Sequence, residues 1–124
     1  MASSSSRVLV RLPNGHIAIV DITKISGYLL DPSHPDNGGK ARFFEDAGFS
    51  SAAPAALAEA FARIATSGDV VSRTESSHGV KFVVDGTLRR PGNRLAAVRT
   101  IWIIETGRDA PRLVTAYPVG RRRG

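Results

Sequence analysis

The sequence predicts an α+β domain in which an N-terminal β-hairpin and three short helices pack on one side of a four-stranded antiparallel sheet. Two patterns lead to this class. Up to Gly68 the apolar residues recur at helical spacing, and from Asp69 onward the period becomes that of extended chain. The extended runs are separated by short linkers rich in turn formers, and sequential strands joined in that way favour an antiparallel meander.

The chain has 124 residues, too few for two self-sufficient cores, and its 42% hydrophobic and 23% charged residues are ordinary for a globular protein. The expected organisation is a disordered Ser-rich leader over residues 1–6, one domain over residues 7–118, and a basic tail over residues 119–124.

Each element has its own signal. Arg7 to Leu12 alternates, Pro13-Asn14-Gly15 turns the chain, and Ile17 to Val20 resumes extended, which predicts the hairpin. Ile22 to Leu30 reads as a short helix with Ile22, Ile25 and Leu29 on one face, stopped by the prolines of Asp31-Pro32-Ser33-His34-Pro35. Lys40 to Ala47 reads as a second helix with Phe43, Phe44 and Ala47 on its apolar side and Gly48 as its C-cap. The third helix starts near Pro54, lines one face with Leu57, Ala60, Phe61, Ile64 and Ala65, carries Glu59 and Arg63 as an outward pair, and ends at Gly68.

Four strands follow: Val70 to Glu75, Val80 to Leu88, Leu95 to Glu105, and Arg112 to Pro118. Ile101-Trp102-Ile103-Ile104 is apolar on both faces, which predicts a central strand covered on both sides. On the last strand, alternation puts Leu113, Thr115 and Tyr117 on one side and Val114 and Ala116 on the other.

Several chemistries are excluded or unsupported. Without cysteine there is neither a disulfide framework nor a thiolate metal site. His16 and His78 sit by turns with no metal-ligand spacing, and neither a phosphate-binding Gly-rich loop nor a Gly-x-Ser-x-Gly elbow occurs. No metal and no cofactor are expected. The apolar runs are too short to cross a bilayer and the first residues lack a secretory pattern, so a cytoplasmic location is expected.

The charge is unevenly placed. Residues 1–86 hold 8 Lys/Arg against 9 Asp/Glu, whereas residues 87–124 hold 9 arginines against Glu105 and Asp109, for the net +6 of the chain. An arginine-rich half fits a polyanionic partner, and it equally fits plain solubility.

Two groups of residues could carry chemistry. His34, in its Pro-bracketed loop, can exchange a proton near neutral pH, and Lys40 could stabilise an anionic phosphorane. Arg99 and Lys81 sit in otherwise apolar strands, where Thr115 and Tyr117 could join them around one phosphate on an open sheet face. Lys81, Arg89, Arg90 and Arg112 are the expected nucleic-acid contacts. The same residues also fit a stiffened turn and an ordinary solvated sheet face.

Residues Tyr28-Leu29-Leu30-Asp31-Pro32-Ser33-His34-Pro35, Lys40-Ala41-Arg42-Phe43-Phe44, Gly79-Val80-Lys81-Phe82, Arg99-Thr100-Ile101-Trp102-Ile103-Ile104 and Arg112-Leu113-Val114-Thr115-Ala116-Tyr117-Pro118 together resemble an uncharacterised bacterial family, a domain of unknown function, over roughly residues 22–118. More loosely, the closing strand after a helices-then-sheet order is similar to toxin ribonuclease domains of the barnase, EndoU, colicin and RelE class. That resemblance implies a metal-independent endoribonuclease with His34, Lys40, Arg99, Thr115 and Tyr117 as catalytic positions. The expected partners are RNA and a small acidic neutralising protein. The other reading is a non-enzymatic interaction module of a toxin–antitoxin or immunity pair, binding an acidic protein or nucleic acid.

Overall fold

A computed structural model describes residues 10–25, 43–45, 48–49, 54–90 and 94–119. The leader, the loop carrying His34 and the start of the second expected helix with Lys40 lie outside the described residues.

Helix formation is clearest where the apolar spacing is most regular. Two helices have bounds among the described residues, α1 (Ile22–Lys24) and α2 (Pro54–Ser67). In α1 the Asp21 side chain accepts from the Thr23 backbone N–H, a standard N-cap, and Ile25 behind it is fully buried. Ile22, expected on the same buried face, is 42% exposed. Of the second expected helix residues 43–45 are described and are helical, and Gly48 has the left-handed φ of 97° that suits the cap foreseen for it. The three expected helices thus reduce to two with defined ends.

Helix α2 buries the stripe read from the sequence, namely Leu57, Ala60, Phe61, Ile64 and Ala65. Burying Phe61 alone is worth about 1.5–3 kcal/mol. Its ring meets Phe44 edge-on at 5.8 Å, and Phe44 meets Phe43 at 5.0 Å, so residues 43–45 dock on this helix. Glu59 and Arg63, expected to pair, are both exposed and form no ion pair.

The strands are β1 (Asp69–Ser76), β2 (Gly79–Arg90), β3 (Arg94–Glu105) and β4 (Arg112–Pro118). They form one antiparallel sheet in the order β1-β2-β3-β4. Even-numbered residues of the two inner strands turn toward α2: Phe82, Val84 and Leu88 on β2, and Ala96, Val98, Thr100 and Trp102 on β3 are buried. The Trp102 indole N–H donates to the Thr100 hydroxyl at 2.7 Å, and that hydroxyl donates to the Val84 carbonyl at 2.8 Å. The one buried polar side chain among the described residues thus both donates and accepts.

Two expectations about the sheet need correction. Strand β3 is internal, as Ile101 to Ile104 suggested, but Ile101 and Ile103 stay half-buried because no described element packs on their face. On β4 the pairing jumps between Ile101↔Thr115 and Trp102↔Leu113, which leaves Val114 as a bulge. The extra residue resets the alternation, so Leu113 is buried with Ala116, and Thr115 and Tyr117 occupy the opposite face without it.

The expected hairpin is not confirmed, and residues 7–9 of its first arm lie outside the described residues. Asn14 adopts the left-handed conformation and Gly15–Ile17 form a 3-10 turn, but no ladder joins the two arms among residues 10–20. Instead the Val10 carbonyl accepts from the Val70 N–H at 2.9 Å on β1, while Ile19 exchanges bonds of 2.8 and 3.0 Å with Pro111 and Leu113 at β4. Each arm satisfies backbone groups at one outer edge of the sheet, where unpaired N–H and C=O groups are costly to leave. The segment passes α2 at Gly15, where a Cβ would stand 2.1 Å from the Ala65 carbonyl oxygen.

Candidate functional site

The register of the sheet, more than any single motif, assembles the site. Paired residues share a face, so Asp85 on β2, Arg99 on β3 and Tyr117 on β4 form one transverse row on the face turned away from α2. Two residues further along lie Val83, Ile101 and Thr115, and beyond them Lys81, Ile103 and Arg112. Adjacent rows are roughly 7 Å apart. Among the described residues nothing covers this face.

Arg99 is the best-fixed side chain on it. Its Nε donates to one Asp85 carboxylate oxygen at 2.7 Å and its Nη2 to the other at 2.8 Å, a bidentate fork between half-buried groups, 35% and 30% exposed. The pKa of Arg99 is raised, first by the hydrogen bond to Asp85, which outweighs the opposing effect of burial, and further by that carboxylate's charge and by Tyr117. Arg99 is thus a permanent cation in a set orientation, in contact with the tyrosine across from it.

The sheet places the remaining candidates as follows. Thr115 and Tyr117 share the face with Arg99, as the sequence suggested, and both are half-buried. Lys81 is on the same face and exposed, but it stands four positions from Asp85 along β2, roughly 13 Å away. Lys81 thus stands two rows from Arg99, while Thr115 is one row away and Tyr117 lies in the row of Arg99. Arg112 lies in the Lys81 row and forms an ion pair with Glu105. Arg89 and Arg90 lie at the far end of β2, opposite Leu95 and Arg94. His34 and Lys40 are outside the described residues, so their approach to these rows is not part of the geometry. Among the described residues no group of three or more His, Asp or Glu converges as a metal site would require.

Asp85 was missed by sequence reasoning, although a signal for it existed. The turn-forming run Arg90-Pro91-Gly92-Asn93 marks the β2–β3 connection, and counting outward from Gly92 sets Asp85 opposite Arg99, although the centre of the run itself would set it opposite Val98. The second ion pair of the same region, Arg11 to Asp69 at 2.6 Å with a further bond from Arg11 to the Gly68 carbonyl, joins segments 57 and 58 residues apart and leaves no local pattern.

Comparison with known proteins adds three findings. The family model described as a domain of unknown function, DUF6883, matches residues 11–120. No curated protein matches the sequence. Among solved structures, the chain is similar to one from a contact-dependent growth inhibition toxin–immunity protein complex of Klebsiella pneumoniae 342, with a TM-score of 0.67 at 15% identity over 82% of this chain and 100% of that chain. At that identity the likeness establishes the fold.

Proposed function

The chain belongs to the DUF6883 family of unknown function, and we propose that it is the toxin-type member of a toxin–immunity pair, acting on RNA at its open sheet face. The observation that carries this reading is the row Asp85–Arg99–Tyr117, in which a cation of fixed orientation sits beside a phenol on a face that no element among the described residues covers. The fold shared with a chain of a growth-inhibition toxin–immunity complex supports the same class.

The guanidinium of Arg99 carries more N–H groups than Asp85 takes up, so it can hold a phosphate oxygen while remaining anchored. Thr115 and Tyr117 supply hydroxyls for positioning, and Lys81 and Arg112 meet neighbouring phosphates one or two rows away. In the reaction, the RNA 2′-oxygen attacks the adjacent phosphorus as the P–O5′ bond breaks. His34 is the proposed general acid or base: as base it takes the 2′-hydroxyl proton while solvent water protonates the departing 5′-oxygen, as acid it gives that oxygen its proton while water takes the 2′-hydroxyl proton, and Lys40 and Arg99 stabilise the anionic phosphorane. No metal is required.

The test is incubation of the purified protein with total RNA in EDTA, beside Arg99→Ala, Tyr117→Phe, His34→Ala and Lys40→Ala. Cleavage lost in Arg99→Ala and His34→Ala supports the reading. Absence of cleavage by the parent chain, or equal cleavage by all variants, ends it. One observation favours a second reading: the Arg99 fork is already filled by Asp85, as in a purely structural pair. The chain would then be an immunity-type binding module, inert toward RNA.

A further inference from the structure

We propose that the cleft beside the end of α2 is a strand-acceptor site for an acidic, extended segment of a protein partner. This goes beyond the reading of the open face and does not depend on it. Strand β1 stops pairing at Asp69↔Asp85, yet β2 runs on to Arg90, joined on its other side to β3 as far as Arg90↔Arg94. Over residues 86–90 the β1 side of β2 therefore faces no strand among the described residues. Every second residue there aims its backbone N–H and C=O outward, at the spacing that a peptide strand reproduces and a nucleic acid does not.

A cleft of about 550 Å³ lies along this free edge. Phe49, Ile64 and Leu88 give it an apolar floor, while Arg63 and Ser67 of α2 and Thr87 of β2 line its rim. The five-residue edge spans roughly 13 Å, enough for a short strand with alternate side chains turned to the floor.

Charge selects the occupant. Of the two acidic residues at the cleft, Asp69 is engaged by Arg11, and Asp85 turns its carboxylate to Arg99 on the opposite face of the sheet. Arg63 has no ion-pair partner among the described residues. A segment alternating acidic and apolar residues meets both the floor and Arg63.

The experiment uses a blocked hexapeptide of alternating Glu and Val as probe, titrated into the whole isotope-labelled chain and read by amide shifts and hydrogen exchange. The expected result is protection of amides within residues 86–90, abolished when alternate peptide nitrogens are methylated and weakened about fivefold by Arg63→Glu. A Lys-Val hexapeptide is expected not to bind. The proposal is overturned if the methylated or the Lys-Val peptide binds as well as the first, or if no shift appears at millimolar peptide. It is equally overturned if a short RNA, rather than the peptide, protects these amides.

Discussion

Arg99 grips both oxygens of Asp85 across the β2–β3 ladder, at 2.7 and 2.8 Å, on the face turned away from α2. A fork of this kind fixes the cation more firmly than a single contact, and both partners are only about one-third exposed. Removing one partner should therefore cost more than the loss of an ordinary surface pair. Asp85→Asn is expected to lower unfolding stability by about 1 kcal/mol, discounted for solvent screening, as measured by urea titration. An effect indistinguishable from zero would mean that the fork is incidental.

The raised pKa of Arg99 gives this pair a defined pH behaviour. For a cation whose folded pKa exceeds its unfolded value, the stabilisation is complete below the unfolded pKa and is lost only as pH rises through the folded one. Both lie at strongly alkaline pH. The stability difference between the parent chain and Arg99→Gln should accordingly stay constant between about pH 7 and pH 10. A difference that shrinks over that range would show that the charge of Arg99 is not what holds Asp85.

Inside the core the analogous relay runs from Trp102 through Thr100 to Val84. Thr100→Val keeps the volume but leaves the indole N–H without its acceptor in a fully buried position. A loss of about 1–3 kcal/mol is expected, with Thr100→Ser recovering part of it, since the cost arises from an unsatisfied donor and not from a cavity.

The sheet was largely legible in the sequence because its signals are local: alternation fixed the strand runs, and turn formers fixed their order. The crossing of residues 10–20 was not legible. Asn14-Gly15 is a sound hairpin signal, but Val10 and Ile19 bond to two distant sheet edges, at Val70 and at Pro111 to Leu113. The bulge at Val114 is equally silent, since Leu113, Thr115 and Tyr117 alternate perfectly on paper. For the site, Arg99, Thr115 and Tyr117 could be placed on one face from parity alone. Asp85 needed the register, and Lys81 needed a distance.

The crossing segment has its own test. Gly15 lies against the Ala65 carbonyl so closely that any side chain must displace backbone on one side. Gly15→Ala should destabilise by about 1–3 kcal/mol, the usual cost of overpacking, whereas Gly107→Ala, where a Cβ meets nothing within 4 Å, isolates the separate strain of its φ of 83°. A Gly15→Ala variant as stable as the parent would mean that the close contact with α2 contributes nothing.

Salt dependence distinguishes a free from a paired cation within the Lys81 row of the open face if RNA binds there. Lys81 is exposed and has no ion-pair partner among the described residues, whereas Arg112 shares its guanidinium with Glu105. A cation that is free to neutralise a phosphate releases a full counterion, and one already paired releases less. For single-stranded RNA each complete contact adds about 0.7 to the slope of log affinity against log salt. Lys81→Ala should lower the slope by about that amount and Arg112→Ala by less, as read by fluorescence anisotropy across a salt series. If neither variant changes the slope, phosphates do not lie along the Lys81 row, and any RNA contact is confined to the neighbourhood of Arg99.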